Sequence, residues 1–242
     1  MVNKPAGLLS VPGRGADKLD SLATRVQQKF PEALIVHRLD MCTSGLLVFA
    51  RGAEMQRRLS TLFRERGIKK SYMAVVAGQI KPAVGEINLP LISDWPNRPL
   101  QKVDFDIGKP SLTRYRLLEC DAATDTSRVE LEPITGRTHQ LRVHLAAIGH
   151  PILGDALYGG RKAERVMLHA CSLSFAHPLS GELMTMVCEP PFGTATDAIL
   201  TPDCFITQEE QNETIFDVVD DCFDLPEFAC RNGRSQAFWR WG

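Results

Sequence analysis

Apolar side chains recur along this chain with two periods, and the places where each period holds define the elements. Over residues 17–30, Leu19, Leu22, Ala23, Val26 and Phe30 fall at the spacing of a helix face, with Asp17 placed as a cap and Pro31 as a stop. A second helix is expected over residues 53–66 on Met55, Leu59, Leu62 and Phe63, closed by Gly67. Its outer face carries Arg57, Arg58, Arg64 and Arg66, which suits either open solvent or the phosphates of a polyanion. A third helix follows a turn at Gly136, with Thr138 as its cap, Leu141, Leu145 and Ile148 as its buried stripe and Gly149 as its end. Arg142 lies beside that stripe, so a packed helix obliges it to find an anionic partner.

The period of two appears over residues 112–118 and 128–131, which read as strands joined by a polar hairpin. Residues 69–77 begin basic and turn apolar, and Tyr72 at their entry reads by default as a strand aromatic with its hydroxyl at the edge. The run Gly45-Leu46-Leu47-Val48-Phe49-Ala50 has no alternation and is expected to be one strand buried on both faces. Residues 1–13 are too rich in Pro and Gly for regular structure, and Gly13-Arg14-Gly15 is a turn without the flanking strand and helix of a nucleotide site. Prolines 82, 90, 96, 99 and 110 make residues 78–112 either a surface excursion or a functional loop.

With 242 residues, 44% of them hydrophobic, the chain can bury one full core. It has no apolar run of membrane-spanning length and no basic-apolar-small order at its start, so a cytoplasmic protein is expected, without membrane partners. Its seven cysteines lie far apart with no C-x-x-C pair, which points to reduced thiols rather than a zinc site or a disulfide framework. The net charge of −1 conceals a division: beyond residue 195 there are ten acidic and three basic side chains, so the remainder is basic. Residues 1–194 are read as the folded domain and residues 195–242 as an acidic extension with little periodicity. A basic body is compatible with a polyanionic partner or simply with a solvated surface.

The candidate chemistry sits in His37-Arg38-Leu39-Asp40, just before the apolar run. Asp40 either caps a turn, as Asp before Thr-Ser-Gly ordinarily does, or performs chemistry. His139 and His144 lack the intervening Glu of a zinc-protease helix, and metal ligation is not expected of them.

Five segments together resemble the RluA-type pseudouridine synthases. They are His37-Arg38-Leu39-Asp40, Lys70-Ser71-Tyr72, Gly136-Arg137-Thr138-His139-Gln140-Leu141-Arg142-Val143-His144, Gly149-His150-Pro151-Ile152-Leu153-Gly154-Asp155 and Leu168-His169-Ala170. Asp94-Trp95-Pro96-Asn97-Arg98-Pro99 resembles the RluA branch, whose members modify a uridine in a hairpin loop of 23S rRNA and one in the anticodon stem-loop of certain tRNAs. The resemblance implies an α+β fold with a central, largely antiparallel mixed sheet, flanking helices and a catalytic cleft. It implies Asp40 as nucleophile, Tyr72 against the target base and in a proton transfer, and Arg142 paired with Asp40. It further implies Leu168 on the floor and Arg38 entering the stack that the uridine leaves. No cofactor or metal is implied, and a monomer is expected. Arg98, Lys102 and Arg137 are candidate RNA contacts.

Elementary chemistry accounts for these residue types. Extruding a stacked base costs a few kcal/mol, which a cation filling the gap and an aromatic stacking on the base at ~1–3 kcal/mol can offset. Burial favours the neutral form of a carboxylate by up to roughly 3–5 pKa units, and a guanidinium nearby recovers roughly 1–3, so Arg142 is expected to govern the charge of Asp40. Two other readings use the same residues: an RNA-binding protein that keeps the fold without the chemistry, and a hydrolytic RNA glycosidase. The family's members have an apolar strand just upstream of Met1, so a sheet strand is expected to be missing, and the extension beyond residue 195 matches no family motif. Its charge suggests either that it folds over the basic body or that it has no role.

Overall fold

The computed structural model describes residues 1–192. The elements of the first half are β1 (Val2–Lys4), α1 (Leu22–Lys29), β2 (Ala33–Ile35), β3 (Ser44–Leu47), β4 (Phe49–Arg51), α2 (Ala53–Arg64) and β5 (Lys69–Ala77). There follow β6 (Val84–Asn88), β7 (Leu91–Ser93), β8 (Gln101–Val103), β9 (Leu112–Asp121), β10 (Thr126–Pro133), α3 (Gln140–Ala147), β11 (Leu168–Ala176) and β12 (Leu183–Val187). Eight strands form one sheet in the order β1-β3-β11-β5-β10-β9-β6, with β12 also paired to β11. Every pairing in it is antiparallel except β11 with β3, which is parallel through His169↔Ser44 and Ala170↔Gly45. This is the expected α+β class with a mixed, largely antiparallel sheet.

Three apolar clusters flank the sheet. Leu22 and Val26 of α1 pack with Val2, Leu8, Leu39 and Leu47. Leu59 of α2 packs with Leu46, Val48, Ala50, Ile68 and Phe175. Leu141 and Leu145 of α3 pack with Val76, Val129, Leu131, Ile152 and Leu168. At the parallel seam Gly45 has φ +111°, and a Cβ there would stand 2.3 Å from the Ala170 carbonyl oxygen, so only glycine lets β3 and β11 approach. No helix among the described residues is long and apolar enough to cross a membrane.

Several expectations need correction. Residues 2–4, read as irregular, form the edge strand β1 on β3, with Val2 opposite Leu47. Helix α1 begins later than expected, at Leu22, because Ser21 caps it by accepting from the Thr24 N–H at 3.1 Å, and Leu19 is left 58% exposed outside it. The apolar run after Ser44 is two strands, since Val48 leaves the ladder to donate its N–H to His37 Nε2 at 2.9 Å and β4 then pairs with β2. The proline-dense segment contains β6, which extends the sheet, and the β7–β8 hairpin. Helix α3 starts from His139 in a left-handed conformation, and Thr138 does not cap it; Gln140 Oε1 instead accepts from the Arg137 N–H at 3.0 Å. Ile148 follows that helix and is 36% exposed, so the buried stripe is Leu141 and Leu145. The acidic extension lies outside the described residues.

Buried histidines tie stability to pH. His169, 1% exposed, places Nδ1 2.7 Å from Ser44 Oγ, and burial, helped by the Arg165 charge, pushes its pKa down to about 4. Burial pushes His37 down to about 3, in the same direction. A depressed histidine pKa means that only the unfolded chain takes up the proton between pH 6.5 and the folded value, so stability is full above 6.5 and falls as pH drops. Unfolding free energy should fall by about 2 kcal/mol for His169 alone between pH 6.5 and pH 5. Chemical denaturation across that range checks this, and a flat profile would contradict it.

Candidate active site

The loop before β3 is held from beneath. Leu39, 5% exposed, donates its N–H to Ser10 Oγ at 3.0 Å, and the same hydroxyl donates to the Leu39 carbonyl at 2.7 Å. Lys4 is fully buried, and its ammonium donates to the carbonyls of Leu8 at 2.7 Å, Pro5 at 2.9 Å and Met41 at 3.1 Å. Burial pushes its pKa down to about 8, and the carbonyl cage satisfies its donors. The chain on both sides of Asp40 is therefore fixed, while its own carboxylate keeps 20% of its surface exposed. Its carbonyl accepts from the Thr43 N–H at 3.1 Å, so Asp40 closes a turn with its backbone and presents its side chain at once.

That side chain faces a cleft of about 550 Å³, the size of a small-ligand pocket. Arg38, Arg64, Arg66, Lys70, Arg137 and Arg142 line it, and among the described residues Asp40 is the only carboxylate in the lining. Tyr72 and Leu168, the latter 2% exposed, also line it. A wall of cations around one acid favours a polyanion that delivers a reactive group to that acid.

Arg142 is 3% exposed, and it finds two anions rather than one. Its Nε and Nη2 donate to Asp155 Oδ2 and Oδ1 at 2.6 and 2.7 Å, a bidentate pair, and Nη1 donates to Asp40 Oδ2 at 3.4 Å. The expected pairing of Arg142 with Asp40 is thus the longer and weaker of its two contacts. Burial alone would lower the guanidinium pKa, but the bonds to Asp155 and the charge of Asp40 raise it, so the cation is permanent. Asp155, which sequence reasoning placed only in a turn, is 1% exposed and aims the guanidinium.

His139 was also overlooked. Its Nε2 lies 3.9 Å from Asp40 Oδ2, and its Nδ1 is 2.7 Å from the Tyr158 hydroxyl. That hydroxyl also accepts from the Gln101 N–H at 3.0 Å, so the ring is held through Nδ1 while Nε2 faces Asp40. Burial lowers the His139 pKa while the Asp40 charge opposes it, so the ring is neutral near pH 7. Burial first, then Asp40, raises the pKa of Tyr72, so its phenol stays protonated. His144 is fully buried and bonded, with Nδ1 2.9 Å from Thr113 Oγ1 and Nε2 donating to the Leu89 carbonyl at 3.0 Å.

The cleft brings together Asp40, Tyr72, Arg142, Arg38, Arg137 and Leu168. Arg98 and Lys102 are not among its lining residues and stand on the β7–β8 hairpin. Arg98 lies over the exposed Trp95 ring at 3.8 Å, and Lys102 is paired with Asp104 at 3.3 Å. The hairpin is tied to the cleft through Gln101, Tyr158 and His139.

Known proteins resemble this chain over most of its length. Residues 1–147 match the family described as RNA pseudouridylate synthase. The dual-specificity RNA pseudouridine synthase RluA of Escherichia coli K12 is 53% identical over 189 residues, covering 76% of this chain and 86% of its own. The protein of the same name from Vibrio parahaemolyticus is 47% identical over 234 residues, covering 94% of this chain and 88% of its own, an alignment that takes in most of the acidic extension. Human RNA Pseudouridylate Synthase Domain Containing 1 superposes with a TM-score of 0.67 at 30% identity, covering 83% of this chain and 86% of that one.

Proposed function

The chain belongs to the RNA pseudouridylate synthase family, and we propose that it isomerises a uridine in a hairpin loop of 23S rRNA, and one in a tRNA anticodon stem-loop, with Asp40 as nucleophile. The observation that carries this reading is the lone carboxylate of Asp40 in a cation-lined cleft, 3.4 Å from an arginine that is itself locked in place.

The uridine must leave its stack to reach Asp40. Arg38, exposed at the cleft edge, fills the vacated space, while Tyr72 packs against the base and Leu168 supports it from below. Asp40 attacks the nucleotide as the bond from N1 to the ribose C1′ breaks, the uracil turns, and Asp40 is released as C5 bonds to C1′. The proton on C5 passes to solvent and N1 takes one from solvent, so substrate and product are isomers. Tyr72, whose pKa is raised by burial and then by Asp40, stands against the base and takes part in a proton transfer. Arg142 stabilises the negative charge on Asp40 whenever it is released, with the His139 ring beside the same carboxylate oxygen.

The test is tritium release from stem-loop RNA carrying uridine labelled at C5. Release with the base retained as pseudouridine is expected. Free uracil would mean a hydrolytic glycosidase, and RNA binding with no release would mean a fold without the chemistry.

A further inference from the structure

We propose that Arg66 and Lys70, on the wall of the cleft, form a binding site for a backbone phosphate of the RNA strand beside the extruded uridine; this rests on the reading of the cleft as a uridine-isomerising site. Helix α2 and the turn just beyond it carry four arginines, and the fold divides them. Arg57 and Arg58 are paired with Glu54 away from the cleft, the latter at 2.8 Å. Arg64 and Arg66 line the cleft.

Arg66 stands where the helix reverses. Gly67 N–H donates to the Leu62 carbonyl at 2.8 Å to close the last turn, and Arg66 takes φ 62°. A side chain in that left-handed conformation is strained, which glycine would avoid. The position sacrifices stability for a cationic side chain that lines the site.

Lys70 precedes Tyr72 by one intervening residue on β5, so the two side chains share a face of the sheet. It is half-buried, and its ammonium reaches to within 3.8 Å of where a Cβ on Gly136 would stand, on the opposite wall. Burial and the Arg66 charge both lower its pKa, in that order, so the two cations feel one another. Among the described residues no carboxylate pairs with either. Arg66 is exposed and Lys70 half-buried, and like charges gathered on one wall of a cleft are unfavourable until an anion joins them. A phosphate accepts the fork of Arg66 and the point charge of Lys70 together, and RNA offers one beside every base.

The test is the salt dependence of binding to stem-loop RNA, read by fluorescence anisotropy on the full chain. Arg66→Gly should raise the melting temperature, because the left-handed strain is gone, and yet reduce the slope of log K against log salt by ~0.7–0.9. Arg66→Gly with Lys70→Met should reduce it by roughly twice that amount, while Arg57→Gln, on the outer face, should leave it at the wild-type value. Wild-type slopes in both cleft variants would overturn the proposal, whatever happens to the melting temperature. The slope reports binding alone, so absent tritium release with lowered slopes would remove the isomerase reading and keep the phosphate site.

Discussion

Replacing Arg142 with methionine should abolish turnover and also destabilise the fold by about 3–5 kcal/mol, whereas Arg142→Met combined with Asp155→Leu should recover most of the stability and none of the turnover. Arg142 and Asp155 are 3% and 1% exposed and share two short hydrogen bonds, so removing the cation leaves a carboxylate buried with no counterion. Replacing both by apolar side chains removes the uncompensated charge, and buried pairs exchanged in that way are commonly neutral in stability. Turnover does not return, because Nη1 of Arg142 is the guanidinium donor to Asp40. Denaturation curves and tritium release on the two variants check this. A single variant as stable as the wild type, or a double variant that turns over, would contradict the role assigned to the pair.

How much of this was legible beforehand depended on whether a residue's role is local. Asp40, Tyr72 and Arg142 stood in motifs that together resembled one family, and the stripe of Leu141 and Leu145 announced the helix that buries Arg142. Asp155 sat in a glycine-rich turn, where a carboxylate is ordinary, and its burial is created by an arginine 13 residues earlier in the chain. Val2, Asn3 and Lys4 are too few to show a period, and only their pairing with β3 makes them a strand. The apolar run was misread as one strand because its interruption at Val48 is imposed by the His37 ring, not by any breaker in the run. Arg64 and Arg66 looked like companions of Arg57 and Arg58 on one helical face, but α2 ends at Arg64 and the reversal at Arg66 turns the chain toward the cleft.

Asp40 retains contact with water, and both Arg142 Nη1 and His139 Nε2 face it, so its carboxylate is held by a shared arrangement rather than by a single partner. The arrangement is anchored at a distance, by Asp155 behind Arg142 and by Tyr158 and Gln101 behind His139. A carboxylate poised in this way binds its target without exchanging its own supports, which is how a preorganised site lowers a barrier.

The most direct measurement is the conversion of uridine to pseudouridine by Asp40→Asn in stem-loop RNA, with RNA affinity determined on the same preparation. Asparagine keeps the size and position of the side chain and removes the nucleophilic charge. Affinity within a few-fold of the wild type together with no pseudouridine is the expected result, and pseudouridine formed at the wild-type rate would show that the reaction does not pass through this carboxylate.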